Sequence, residues 1–194
     1  MPGAPVQVDA PTGRGDPRFY TRAMKTVILG PLPQEVEALI ERRRVLGQDH
    51  LDEVWNGEYH MAPAPTKAHA YVDDELATIL HGYARRVGLF GSGPFNLGAP
   101  EDYRVPDRGL HRDRSDGTWA STAAMVVEIV SPGDETFDKF GFYADHGVEE
   151  ILGADPETRT IRLWALDGDR YLEAPVSRLL QARTTDIAEA VDWP

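Results

Sequence analysis

The chain has 194 residues, of which 41% are hydrophobic and 27% charged, values that fit one globular domain with a substantial core. Its net charge of −12 argues against a general nucleic-acid coat protein, because such proteins bind by neutralising phosphates. It still allows an enzyme that touches nucleic acid locally. The absence of cysteine excludes disulfides, zinc fingers and thiol nucleophiles, and it favours a reducing, cytoplasmic location. No apolar run approaches the ~18 residues of a membrane span.

The N-terminal part of the chain is predicted to be a flexible arm. Residues 1–30 are rich in proline and glycine, and a single domain is expected over residues 31–194. The domain opens with a helix at Pro33, which ends in Arg42–Arg44 before Gly47. Cations are favourable at a helix C-terminus, so this position explains the three arginines without a ligand.

A hairpin and a long helix are predicted next. Asn56-Gly57 lies between two strand-like segments, a sequence typical of a type I′ turn in a β-hairpin. Thr66 then caps a helix that Gly88 ends, with His69 exposed in its first turn. The apolar residues of this helix recur about every 3.6 positions and predict its buried face: Val72, Leu76, Ile79, Leu80, Tyr83 and Val87.

Strands are predicted in the middle of the chain at residues 89–97, 103–110 and 123–130, with breaks at Gly91, Gly93 and Pro94. The third is apolar apart from Glu128 and is bounded by Ser131-Pro132-Gly133, the pattern of a central strand buried on both faces. We expect a helix over 134–146, with its core face formed by Phe137, Phe140, Tyr143 and Ala144. Strands over 148–152, 160–166 and 170–174 follow. This order of elements predicts an α/β or α+β fold, a mixed central sheet flanked by helices.

Glu128 is the residue in this pattern that most needs a chemical explanation. A buried carboxylate loses several kcal/mol of hydration unless a cation or hydrogen-bond donors replace the water. Asp107 upstream offers a second carboxylate, and Lys139 downstream offers an ammonium group. Two carboxylates and a lysine are the minimum set for metal-assisted phosphodiester hydrolysis, with Mg²⁺ as the usual ion. A buried arginine paired with Glu128 is the structural alternative.

The other candidates also have structural alternatives. Asp107 follows Pro106 and could simply begin a turn. Lys139 lies four residues after Glu135, so an ordinary and dispensable surface ion pair explains it on its own. A basic patch around Asp107 would suit a phosphate backbone, although interleaved aspartates favour a solvated loop. The candidate patch consists of Arg104, Arg108, Arg112, Arg114 and His111.

Several short motifs, taken in order, resemble the Uma-type restriction-endonuclease family of the PD-(D/E)XK nuclease superfamily. They are Asp52–Glu58, Val105-Pro106-Asp107, Val127–Pro132, Asp138-Lys139 with Tyr143 four residues on, Gly147–Glu150 and Ala154-Asp155-Pro156. In the parent superfamily the lysine lies two residues after the second acid, where this chain has Val130. Uma-type members supply it from the following helix, where Lys139 stands.

The resemblance implies a restriction-endonuclease-like fold and a role for each matched residue. Asp107 and Glu128 would be ligands of Mg²⁺, with Mn²⁺ as a substitute, Lys139 the catalytic lysine and Glu53 an accessory acid. The implied activity is a divalent-metal-dependent endonuclease that hydrolyses phosphodiester bonds.

Nucleic acid is the expected partner, and DNA is preferred over RNA. A second copy of the chain, forming a homodimer, is a further candidate partner. Two other functions remain open: an inactive nuclease-fold protein that binds or regulates, and a hydrolase of small phosphoesters. The convergence of Asp107, Glu128 and Lys139 on one place is the observation that both enzyme hypotheses require.

Overall fold

The computed structural model of the protein describes residues 26–28, 33–131 and 135–194. These residues form an α+β fold with two six-stranded sheets and one two-stranded sheet. The helices are α1 (Gln34–Val45), α2 (Lys67–Arg86), α3 (Phe140–Asp145) and α4 (Thr184–Ala190). The strands are β1 (Thr26–Ile28), β2 (Glu53–Trp55), β3 (Glu58–Met61), β4 (Phe90–Ser92), β5 (Asn96–Ala99), β6 (Asp102–Arg104), β7 (Arg108–His111), β8 (Trp119–Ala120), β9 (Met125–Ile129), β10 (Glu150–Asp155), β11 (Thr160–Asp167), β12 (Arg170–Glu173), β13 (Val176–Ser177) and β14 (Ala182–Arg183).

The central sheet has the strand order β12-β11-β10-β9-β7-β4. It is mixed, because β9 pairs parallel with β10 and antiparallel with β7. Every residue of β9 is buried. The prediction of a buried central strand that carries Glu128 is therefore confirmed, as is the mixed central sheet flanked by helices.

A second sheet, with the order β1-β3-β2-β6-β5-β8, lies beside the central one. The predicted hairpin forms β2 and β3, and its turn residues Asn56 and Gly57 have φ values of 49° and 85°. Two successive residues with positive φ are what a type I′ turn requires, and asparagine and glycine adopt them at low cost. The size of this second sheet was not predicted from the sequence.

The strands predicted over 89–97 and 103–110 are each divided between the two sheets. The first becomes β4 in the central sheet and β5 in the second; the other becomes β6 in the second and β7 in the central one. Pro94 and Pro106 lie at the two breaks. Proline has no N–H to donate to a ladder, so it interrupts pairing there. The break near Pro94 agrees with the prediction, whereas the break at Pro106 was not predicted, and Asp107 lies where the chain enters the central sheet.

Successive side chains of β9 point to opposite faces of the sheet and so belong to two different hydrophobic clusters. Met125, Val127 and Ile129 pack in the cluster that also contains the buried face of α2. Val126 packs on the other side, in the cluster with Tyr143 of α3 and residues of the second sheet. Glu128 shares the face of Val126 because side chains alternate along a strand. It therefore points into the layer between the central sheet, α3 and the second sheet.

Helix α2 follows its prediction except at Val87, which was predicted on the buried face but lies after the last helical residue and is 37% exposed. The helix expected over 134–146 is not continuous. Thr66 caps α2 by accepting a hydrogen bond from the backbone N–H of His69. The later helix divides into a 3₁₀ turn (Thr136–Lys139) and α3, and its expected start at Asp134 lies outside the described residues. The tighter 3₁₀ turn rotates the side chains. As a result Phe137 is 52% exposed, although it was predicted to be buried.

The predicted N-terminal arm, residues 1–30, lies almost entirely outside the described residues. Within it, the backbone of Thr26–Ile28 pairs with β3 as strand β1. The strands predicted over 148–152, 160–166 and 170–174 correspond to β10, β11 and β12. Among the described helices, none combines the length and apolarity that a membrane span needs.

Candidate active site

Glu128 is buried, 4% exposed, on the face of β9 that looks toward α3. Its Oε1 atom accepts a hydrogen bond from the Tyr143 hydroxyl, and the Lys139 ammonium lies 3.2 Å and 3.4 Å from its two oxygens. Burial raises the pKa of Glu128 to about 8; Lys139 opposes this rise, and the negative charges of Asp107 and Glu53 add to it. Burial and neighbouring like charges both favour the proton-bound form of a carboxyl group.

Lys139 ends the 3₁₀ turn and is 8% exposed. Its ammonium group lies 2.9 Å from Glu53 and 3.2 Å from Glu128. Burial alone would lower the pKa of Lys139, but the two carboxylates outweigh it and raise the pKa above its ordinary value. The ammonium therefore stays charged, and the alternative of an exposed pair with Glu135 is wrong. Glu135 instead approaches His60, with 3.7 Å between Oε2 and Nδ1.

Glu53 reaches the same place from the second sheet, as the first residue of β2. Its carboxylate accepts hydrogen bonds from the backbone N–H of Val105 at 2.8 Å and from the Trp55 indole at 2.7 Å. Together with Lys139, these donors engage both of its oxygens. Glu53 thus replaces its lost hydration with protein donors and fixes the ammonium group between the two sheets.

Asp107 stands immediately before β7, next to the central strand. It accepts a hydrogen bond from the backbone N–H of Ile129 at 2.7 Å, and its other oxygen lies 3.0 Å from the His69 imidazole Nε2. The bond to Ile129 places Asp107 beside the residue that follows Glu128. Its charge contributes to the raised pKa values of Glu128 and Lys139. Asp107, Glu128, Lys139 and Glu53 therefore form one cluster, here called the acidic cluster.

Two residues of this site were not predicted as site residues. His69 was expected to be exposed, but its side chain is 16% exposed and contacts Asp107. The sequence did indicate that His69 is partly buried, because it lies three residues before Val72 and so extends the buried face of α2. Tyr143, which donates a hydrogen bond to Glu128, lies four residues after Lys139; it was predicted as a core residue and as part of the family motif, without a role in the site.

The acidic cluster suits a hard divalent cation by the chemistry of its oxygens. Glu53 and Glu128 contact one buried ammonium, and the negative charge of Asp107 acts on both Glu128 and Lys139. Among the described residues, no group of three or more histidine or acidic side chains has a metal-holding arrangement. Mg²⁺ needs only one or two carboxylates, however, because it keeps several of its waters. Among the residues that the structure describes, each oxygen of Asp107 accepts one hydrogen bond, and Oε2 of Glu128 has only the 3.4 Å contact. Lone pairs on both side chains therefore remain for a cation.

The basic patch predicted around Asp107 is divided: Arg114 and His111 line a separate cleft, and the other three arginines do not form a groove. Arg104 is 4% exposed, with its guanidinium 4.5 Å from the Trp55 ring centre and 4.1 Å from that of Phe142, so it is a packing residue. Arg108 pairs with Asp73 at 3.0 Å. Arg112 is exposed and pairs with Glu149.

The mixed central sheet flanked by helices is a restriction-endonuclease-like fold. The chain belongs to the Uma2 family, described as "putative restriction endonuclease", whose model matches residues 34–192. Its structure is similar to the crystal structure of a "putative nuclease belonging to DUF820" from Anabaena variabilis ATCC 29413, with a TM-score of 0.58. The two are 14% identical, over 72% of this chain and 90% of the other, so this likeness concerns the fold alone. A search of curated proteins finds no match.

Proposed function

We propose that this protein is a divalent-metal-dependent nuclease that hydrolyses phosphodiester bonds of DNA. The observation that supports the proposal is the convergence of Asp107, Glu128 and Lys139 on the central strand of the sheet. Any enzyme that uses this set of residues requires that convergence. Membership of a restriction-endonuclease family supports the choice of a nucleic-acid substrate over a small phosphoester.

In the proposed mechanism, Asp107 and Glu128 would hold Mg²⁺, or Mn²⁺ in its place. The bound ion would supply a Lewis acid and lower the pKa of a water molecule. The Lys139 ammonium would orient the attacking water or stabilise the charge that develops on the phosphate oxygens. Glu53 keeps this ammonium in place, and the Tyr143 hydroxyl orients Glu128, so each reacting group is fixed by a second side chain.

A second candidate is a nuclease-fold protein that binds or regulates without cutting. Two observations favour it. Lys139 is held by two carboxylates and is almost fully buried, which restricts its access to a substrate. Near the cluster, Arg108 is paired with Asp73, so its charge is already neutralised.

A cleavage assay separates the two candidates. The wild-type protein is incubated with supercoiled, linear and single-stranded DNA, with Mg²⁺, with Mn²⁺ and with EDTA. Glu128→Gln is the test variant, because it keeps the shape of the side chain and removes its charge. Glu149→Gln is the control, since Glu149 is also acidic but partly exposed and outside the cluster.

The nuclease proposal expects metal-dependent cleavage by the wild type and by Glu149→Gln, and none by Glu128→Gln. A folded wild type that cuts none of these substrates with either metal favours the non-catalytic candidate. Undiminished cleavage by Glu128→Gln would place the active site elsewhere in the chain.

A further inference from the structure

Two adjoining clefts lie away from the acidic cluster, where the outer strand of each sheet approaches the other. The larger has a volume of about 1010 Å³ and is lined by β4, the His111 end of β7 and the loop from Asp113 to Thr122. The smaller, about 700 Å³, is lined by residues near the end of α1 and the start of β5. Phe95 and Trp119 line both clefts. The two clefts therefore form one track with Trp119 at its middle.

The charge of this track is opposite to that of the protein. Its charged side chains, apart from histidine, are three arginines and two aspartates, Arg44, Arg85, Arg114, Asp49 and Asp113. In the whole chain, acidic residues outnumber basic ones by 32 to 20. Arg85 and Arg114 are exposed, and neither forms an ion pair with any residue that the structure describes. Their guanidinium groups are therefore available to an anion, and the net charge of −12 makes such a local reversal significant.

The track also offers aromatic faces beside these cations. Trp119 is 36% exposed and meets Tyr103 edge-on, with 4.9 Å between ring centres, so a face of its indole is not used by this contact. The Arg114 guanidinium lies over the Phe90 ring at 4.5 Å. Hydroxyl groups of Ser115 and Ser121 line the same cleft. Alternating aromatic, guanidinium and hydroxyl groups can contact bases, phosphates and sugars in turn.

We propose that this track binds single-stranded nucleic acid, with a base stacked on Trp119 and phosphates on Arg85 and Arg114. Bases in a duplex already stack on one another, so an exposed indole has a base to receive only in an unpaired segment. The combined clefts exceed the ~300–1,000 Å³ of small-molecule sites, which suits several nucleotides rather than one metabolite.

The proposal rests on the proposed function, and it names the form of substrate that would be held beside the acidic cluster. Asp107 lies at one end of β7 and His111 at the other. The length of β7, about 13 Å over the four steps from Asp107 to His111 at ~3.3 Å per residue, therefore separates the cluster from a strand bound in the track.

Binding is measured by fluorescence anisotropy in EDTA, with the full chain and a labelled deoxythymidine strand of about 12 nucleotides. EDTA prevents metal-dependent cleavage, so this assay measures binding alone. A failure of the binding proposal can therefore be distinguished from a failure of the proposed nuclease activity. The test variants are the pair Arg85→Gln/Arg114→Gln and the single change Trp119→Leu. The control pair is Arg86→Gln/Arg112→Gln, because these arginines neighbour the test residues in sequence and do not line the track.

We expect the Arg85/Arg114 pair to weaken binding at least tenfold and to reduce the slope of log K against log salt by about 1.4, since each phosphate contact on a single strand contributes about 0.7. Loss of the indole face should weaken binding about fivefold or more. The control pair should change affinity by less than about twofold, because arginines off the track make no phosphate contact.

Wild-type-like binding by the Arg85/Arg114 pair, or an equal loss in the control pair, overturns the proposal. So does an absence of binding by the wild type, or full displacement of the strand by inorganic phosphate, which would indicate an anion site only. If Trp119→Leu folds poorly, the affinity of the Arg85→Gln/Arg114→Gln variant decides whether the track binds the strand. If the protein binds the strand through the track but does not cut DNA, the proposed nuclease activity is refuted and the proposed binding site is supported.

Discussion

Replacement of Lys139 by methionine tests both the structure and the chemistry of the acidic cluster. Methionine keeps most of the packing of the lysine stem and removes the cation from between Glu53 and Glu128, which lie 2.9 Å and 3.2 Å from it. Both carboxylates are at most 4% exposed, so water cannot replace the ammonium. Leaving a buried charge unpaired costs about 3–5 kcal/mol.

The expected loss is large enough for a simple measurement. A cost of about 3–5 kcal/mol corresponds to a fall in Tm of roughly 6–20 °C for a domain of this size. As a surface ion pair, by contrast, Lys139 would contribute only a few tenths of a kcal/mol. Urea unfolding of the wild type and Lys139→Met in EDTA gives the difference directly. A loss below about 1 kcal/mol would refute the buried geometry.

The pH dependence of this loss has a definite sign. The pKa of Glu128 is raised to about 8 in the folded protein from an ordinary value of 4.5, and removing Lys139 takes away the charge that opposes the rise. The folded variant therefore binds a proton more tightly than the unfolded chain. Its stability is greatest below pH 4.5 and falls as pH rises through the folded pKa. The deficit relative to the wild type should thus be larger at pH 9 than at pH 5.

A double variant separates stability from catalysis. Glu128→Gln/Lys139→Met removes one carboxylate together with the cation, and the glutamine oxygen still accepts from Tyr143. We expect most of the lost stability to return. Cleavage assayed well below the Tm should fall by about 10²-fold or more in Lys139→Met and stay absent in the double variant. Wild-type turnover in Lys139→Met would remove this residue from the mechanism.

Three further changes test other parts of the molecule. Millimolar Mn²⁺ should raise the Tm of the wild type and not that of Asp107→Asn, since binding to the folded state alone stabilises it; an equal rise in both would place the ion elsewhere. Gly153→Ala should cost about 1–3 kcal/mol in urea unfolding, because a Cβ there would lie 2.8 Å from the Trp164 ring; an unchanged midpoint would contradict that packing. Burial lowers the pKa of His111 below 6.5, with a smaller opposing effect of Asp113. The contribution of the neutral imidazole to the free energy of unfolding is therefore present above pH 6.5 and is lost as pH falls below that value. A His111→Asn variant whose free energy of unfolding has the same pH dependence as that of the wild type would refute this assignment.

The elements that sequence alone predicts are those whose signal is local. The type I′ turn at Asn56-Gly57 depends on two residues with positive φ, and the buried face of α2 depends on its own period. Strand β9 was predicted because its residues are uniformly apolar on both sides of Glu128. In each case the cause lies within the segment itself.

What the sequence did not predict depends on distant partners. Arg104 is buried between Trp55 and Phe142, and no local pattern indicates which aromatic rings will meet it. The pairing of Lys139 with Glu53 was implied only by the family resemblance, because Glu53 approaches from a strand more than eighty positions earlier in the chain and no local pattern joins the two. The positions of Pro94 and Pro106 marked the strand breaks, but the choice of sheet on each side depends on pairing that is formed only in the folded domain.

The division of the acidic cluster between two sheets has a consequence during synthesis. Glu53 belongs to the second sheet and Glu128 to the central one, in which β9 is flanked by β10 at Glu150–Asp155. A nascent chain that has formed only its N-terminal hairpin therefore holds Glu53 without its cation, and the central strand has β7 but not β10 beside it until residue 155 has left the ribosome. A copy truncated before Lys139 therefore carries Glu53 and Glu128 without the ammonium that lies between them in the folded domain.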